Sequence, residues 1–280
     1  MGDSGSFTCG PAPALRPLVV EYRGFARDLA AMGGFTISPD RFGELICCAD
    51  PIDLVGAGGP LRLPACFLIG LLGEPLRIES PGVVRCLAAR LQPWSLGRLA
   101  ERLGGGPPRP LQDAGGLFGD ALGGVLGLVA RRDWTSVVDL FDQTLGVVFH
   151  GVEPDSAGIG MAVEFVAGSR PTTAVARGAL LDRRQVERRV RGLTGTSPKQ
   201  LACLSRFQRA RDALWAEPTL DLARLAGRLG YADQAHMSRH FRRYSGQTPG
   251  EFARDAQAAW GAPELGEDVA FVQDDAEGGS

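Results

Sequence analysis

The stretch from Leu222 to Pro249 constrains this chain more than any other. Leu222, Leu225, Ala226 and Leu229 recur at spacings of three and four, the period of one buried helix face. Gly230 follows, the residue type that takes positive φ where a helix must stop sharply. Asp233 is placed to cap a second helix by accepting from its first free N–H groups. In that second helix Met237 and Phe241, four apart, face inward, while Gln234, His236, Arg239 and Arg243 point outward. Gln, His and Arg on the free face of a second helix suit the donor and acceptor edges of bases in a major groove. An ordinary amphipathic hairpin with solvated arginines satisfies the helical period too. It does not explain why turn, cap, apolar and basic positions agree at these fixed spacings.

The pattern resembles the DNA-binding domain of AraC/XylS-family bacterial transcription regulators. The matching residues are Leu225-Ala226, Gly230-Tyr231, Asp233-Gln234, His236, Ser238-Arg239, Phe241-Arg242, Gly246 and Thr248-Pro249. That family carries two such motifs joined by a long helix, and residues 175–190 look like the first. Gly195 and Ser197-Pro198 echo Gly246 and Thr248-Pro249, an internal duplication in layout. Between the motifs, Leu201, Leu204, Phe207, Ala210 and Leu214 predict one long connecting helix from Lys199 to about Glu217, ended by Pro218. Leu180 stands where the family has glycine at the first turn, and Val190 replaces an aromatic core residue. A leucine at positive φ is strained, so the first turn is expected to be either reshaped or followed by a differently angled helix.

The resemblance implies base contacts from Arg183, Arg184, Glu187 and Arg188 in the first motif, and from Gln234, Ala235, His236 and Arg239 in the second. Glu187 could accept from cytosine or orient an arginine four residues away. Ser238, Arg242, Arg243 and Thr248 are implied phosphate contacts. The implied partner is double-stranded DNA, with RNA polymerase, an effector or protein partner, and a homodimer as further expectations.

Charge supports this division. Residues 158–262 hold 17 Lys+Arg and 9 Asp+Glu, a net of +8, whereas the rest of the 280 residues carry a net of −10. A nearly neutral chain thus contains a basic segment of the kind that neutralises phosphates. Arginine supplies all but one of the basic residues, so not every arginine is a contact.

The expected fold class is α+β. It comprises a flexible arm (1–14), a sensor or dimerisation domain built on a small β-barrel or sandwich with helices (15–150), an all-α DNA-binding domain (158–262) and an acidic disordered tail (263–280). Strand candidates are 42–48, 65–72, 75–79 and 82–91, with helices at 116–130 and 134–145 that pack either on the barrel or across a dimer. The layout, with Ser38-Pro39-Asp40 and Glu44-Leu45-Ile46, is similar to the cupin-like sensor domain of some of these regulators. His150, His236 and His240 are the only histidines, so a histidine-held metal in the barrel is excluded. No nucleophile–base set or phosphate loop is present, so no enzyme activity, cofactor or metal is expected. The six cysteines show no C-x-x-C and are expected to be reduced in a cytoplasmic protein; Cys47, Cys48, Cys66 and Cys86 lie in apolar strand-like runs and are read as buried small hydrophobes, with a thiol-based redox or metal sensor as the alternative. No secretory signal or apolar run of spanning length appears.

Overall fold

The computed structural model describes residues 6–56, 58–150, 155–168 and 172–261. The N-terminal part contains ten strands: β1 (Phe7–Cys9), β2 (Val19–Asp28), β3 (Phe35–Ile37), β4 (Gly43–Cys48), β5 (Asp53–Gly56), β6 (Gly59–Arg62), β7 (Cys66–Ile69), β8 (Leu76–Glu79), β9 (Val83–Leu91) and β10 (Leu111–Asp113). They form two antiparallel sheets, ordered β1-β2-β9-β4-β7-β10 and β3-β8-β5-β6. Of the barrel and sandwich alternatives, the architecture is the sandwich.

The larger sheet is buried on both faces. On β4, Leu45 and Cys47 face one core while Ile46 and Cys48 face the other, and β9 alternates likewise with Leu87 and Ala89 against Cys86 and Ala88. Burial on both faces makes these strands read as continuous apolar runs. One core lies between the sheets. The other lies under α1 (Leu96–Arg102), α2 (Leu122–Arg131) and α3 (Trp134–Phe149), which contribute Leu99, Val125, Val129, Phe141 and Leu145. The two later helices therefore pack on their own sheet. Phe141 meets Tyr22 edge-on at 5.9 Å and Phe118 at 5.0 Å, and each such fully buried side chain is worth ~1.5–3 kcal/mol.

Three expectations change. The span read as a flexible arm contains β1, which pairs with β2 from Phe7↔Gly24 to Cys9↔Tyr22. The segment around 116–130 becomes helical as α2 only from Leu122, because the glycine-rich start forms short 3-10 turns. The cysteines are not all reduced: Cys48 on β4 and Cys86 on β9 form a disulfide. They are direct cross-strand neighbours in the sheet register, a juxtaposition invisible to spacing along the chain.

The remainder is helical: α4 (Ser156–Ala167), α5 (Thr172–Gly178), α6 (Arg183–Thr194), α7 (Pro198–Ala216), α8 (Leu222–Arg228), α9 (Gln234–Ser245) and α10 (Pro249–Gly261). α7 serves two cores. Its Leu201 joins Phe165, Val175, Val186 and Val190, while Leu204, Phe207 and Leu214 join Leu225, Met237, Phe241 and Phe252. Among the described residues no helix is long and apolar enough to cross a membrane. The acidic segment 263–280 lies outside the described residues.

Candidate nucleic-acid interface

In the second motif Asp221 caps α8 by accepting from the N–H groups of Ala223 (2.8 Å) and Arg224 (3.0 Å). Gly230 turns the chain at φ +73°, and Tyr231 N–H donates back to Ala226 O at 3.0 Å. Arg206 of α7 braces this turn. Its Nη1 donates to Gly230 O at 3.1 Å, and its guanidinium lies 5.2 Å from the centre of the Tyr231 ring. Asp233 accepts from His236 N–H at 2.6 Å and starts α9. Met237, Phe241 and Tyr244 are buried, with Phe207 of α7 against the last two rings at 5.1 and 5.3 Å.

The first motif repeats this construction. Leu181 N–H donates to Ala176 O as Tyr231 does to Ala226. Asp182 caps α6 in a capping box with Gln185. Val186 and Val190 occupy the inward positions of Met237 and Phe241. Thr194 Oγ1 donates to Val190 O, and Ser245 Oγ donates to Phe241 O, each at 2.8 Å. Ser197 with Gln200 caps α7 as Thr248 with Glu251 caps α10. The turn is not reshaped to avoid the leucine: Leu180 adopts φ +55° with its side chain 93% exposed. From Leu180 to Asp182 is two residues and from Gly230 to Asp233 is three, so the first turn is one residue shorter.

The structure places Arg183, Arg184 and Arg188 exposed on α6, and Gln234, Ala235, Arg239, Arg242 and Arg243 exposed on α9. Arg183 Nε donates to Glu187 at 2.8 Å, so Glu187 orients an arginine, one of its two expected uses. Ser238 is half-buried. Thr248 has its hydroxyl engaged with Glu251 as a helix cap. His236, expected to point outward, instead lies half-buried and edge-on to Tyr231 at 5.5 Å and His240 at 4.5 Å. Burial lowers the His240 pKa below the usual histidine range, reinforced by His236, Arg206, Arg243 and Lys199.

Contacts between the two halves of the chain were not legible in the sequence. Gly97 of α1 lies against the backbone of α6, where a Cβ would sit 2.6 Å from Gly192 O and 3.0 Å from Leu193 Cα. Within the helical part, Arg189 of α6 donates to Asp155, the cap of α4, at 2.8 Å. Arg211 of α7 is 3% exposed and lines a small cavity with Asp40, Glu44 and Ile69 of the N-terminal part. Burial pushes the Asp40 carboxyl up, but Arg90, Arg211 and Arg41 outweigh it and hold it below the usual carboxylate range. Beside α6 a cleft of about 420 Å³ opens between Leu18, Trp94 and Phe149 on one side and Ile159, Arg188 and Leu193 on the other.

Residues 175–255 match a protein-family model described as a helix-turn-helix domain. Among solved structures, ToxT from Vibrio cholerae superposes with a TM-score of 0.50 at 8% identity, over 83% of this chain and 98% of that one. The DNA-binding domain of AdpA, described as a global transcriptional factor and solved with a target DNA, is 26% identical, covering 40% of this chain and 99% of its own, with a TM-score of 0.35. No curated protein sequence matches.

Proposed function

We propose that this chain, a DNA-binding transcription regulator of the AraC type by its C-terminal helix-turn-helix domain, reads an asymmetric duplex site with α6 and α9 in successive major grooves. The observation that supports this is the condition of the outward side chains. Arg184, Arg188, Gln234 and Arg239 are exposed and have no protein partner among the described residues, on two helices held by the same set of caps, turns and back-bonds. In this reading Gln234 and Arg239 contact base edges from α9, with Ala235 against a thymine methyl and the His236 edge beside them. Arg184 and Arg188 do so from α6, where Arg183 and Glu187 enter as a pair. Arg–guanine and Gln–adenine pairs each supply ~1–3 kcal/mol of discrimination. Ser238, Arg242, Arg243 and Thr248 flank the site as phosphate contacts, which makes affinity steeply salt-dependent.

Control enters through the N-terminal half, whose α1 abuts α6. The cavities at the sandwich are about 40 and 30 Å³, room for a water or two. An effector of ordinary size therefore belongs in the cleft beside Arg188, which is in the usual range for ligand sites. The filled sandwich also favours a second reading, in which this half is a ligand-free interaction or dimerisation module. RNA polymerase as partner, a homodimer and a cytoplasmic location follow from the AraC-type resemblance. The test is selection of bound sequences from a random duplex library by the full chain at fixed salt. The expected product is a motif spanning two adjacent major grooves. A half-length motif refutes base reading by one of the two helices, and no enrichment refutes sequence-specific recognition.

A further inference from the structure

β4 carries two adjacent cysteines, and each faces another cysteine across a different neighbouring strand. Cys48 is joined to Cys86 of β9 on the inter-sheet face. Cys47 opposes Cys66 of β7 on the helix-covered face, with their sulfurs 2.8 Å apart. That separation is roughly 0.8 Å longer than a disulfide bond of about 2.05 Å. We propose that Cys47 and Cys66 are a reversible oxidation site, a dithiol that a hydroperoxide converts to a second cross-strand disulfide, and that its state alters DNA binding.

The chemistry balances with the hydroperoxide as oxidant. The Cys66 sulfur, as thiolate, attacks one peroxide oxygen and forms the S–O bond; the O–O bond breaks, and the other oxygen departs as alkoxide (hydroxide from hydrogen peroxide) and takes up the proton Cys66 released, giving an alcohol or water. The sulfur of Cys47 then attacks the resulting sulfenic acid, forms the S–S bond and expels water. Two thiols have lost two electrons and two protons, and the peroxide has been reduced. Cys66 is the apt nucleophile because the Cys47 thiol donates its hydrogen bond to it.

Both sulfurs are buried, which slows oxidation of a closed sheet. The register supplies the access. Cys47↔Cys66 is the last pair of the β4–β7 register, beside exposed Ala65; beyond it only the Cys48 N–H to Ala65 O bond (2.7 Å) and the Ala114 N–H to Cys66 O bond (3.0 Å) hold the end, and strand ends open at lower cost than ladder centres. Burial holds the Cys47 thiol above its ordinary range, so it stays protonated while the ladder is closed. Beyond Ile69, the chain that carries Cys66 reaches Leu71. That residue packs against the helix-covered core of the N-terminal half and against both cores of the helical domain. A change in β4–β7 spacing thus has a direct packed route to α7 and both motifs.

The test treats the folded full chain with hydrogen peroxide, alkylates it under denaturing, non-reducing conditions and maps the peptides. The expected result is a Cys47–Cys66 linked peptide absent before treatment and removed by dithiothreitol, together with at least a fivefold change in affinity for the selected duplex. The Cys47→Ala and Cys66→Ala variants, read separately in case one fails to fold, should keep the Cys48–Cys86 link and lose the peroxide effect on DNA. Free alkylation of both Cys47 and Cys66 after treatment overturns the site. A linked peptide with unchanged DNA affinity overturns the coupling through Leu71.

Discussion

Gly97→Ala probes the join between the two halves of the chain. A Cβ there would lie 2.6 Å from the Gly192 carbonyl oxygen and 3.0 Å from Leu193 Cα. Both are backbone atoms of α6, so no side-chain rotation makes room. Ordinary heavy-atom contact begins near ~3.5 Å, so α1 and α6 must separate by roughly 1 Å. Overpacking of this kind costs ~1–3 kcal/mol. Buried Val186, Val190 and Thr194 fix α6 in its own core on both sides of Gly192, so the helix is displaced as a rigid unit. The expected outcome is a tilt of the first motif away from its two-groove alignment. If the strain is expressed as lost alignment, affinity for the full site falls by ~5–150-fold, the equivalent of that energy. Affinity for a duplex carrying only the α9 half stays unchanged. Anisotropy titrations with the two duplexes at one salt concentration read both numbers. Wild-type affinity for both duplexes, at an unchanged melting temperature, would refute the reasoning that α1 positions α6.

Arg239→Ala should weaken the selected site by ~1–3 kcal/mol and relax one base position; an equal loss on all sequences would mean a phosphate contact only. Leu180→Gly should stabilise the fold by ~0.5–1 kcal/mol in urea denaturation. It relieves a left-handed leucine (~1–2 kcal/mol) that buries almost nothing, against ~0.5–1 kcal/mol of added unfolded-state freedom; a lower midpoint would reveal packing by Leu180. For His240, the unfolded imidazole titrates near ~6.5 and the folded one lower. Between those values the unfolded chain binds the extra proton, so stability falls as pH drops below ~6.5 and levels off below the folded pKa. His240→Gln should flatten that slope, and an unchanged slope in denaturation curves from pH 7 to 5 would assign it to other groups.

Local signals carried the helical domain. Leu225, Met237 and Phe241 fall on a helical period, Gly230 marks a turn, and Asp233 marks a helix start, because helix faces and caps are set by residues within a few positions of one another. The same locality exposed β4 and β9, whose two buried faces leave uninterrupted apolar runs. It missed β2, where Glu21, Arg23, Arg27 and Asp28 break the apolar pattern and pairing with β9 supplies the order. Pattern alone could also not tell which outward side chains stay unpartnered. His236 turned in against Tyr231 and His240, while Arg189 found Asp155 thirty-four residues away. The amino-acid sequence by itself determined two helix-turn-helix units, a basic domain and a strand-rich apolar N-terminal part, since each rests on short-range periodicity, turn chemistry or summed charge. Only the tertiary structure decided that Gly97 touches α6, that Arg211 lines one cavity with Asp40 and that β4 aligns four cysteines in two pairs. Those contacts depend on sheet register and domain docking, which join residues far apart in the chain and leave no periodic trace along it.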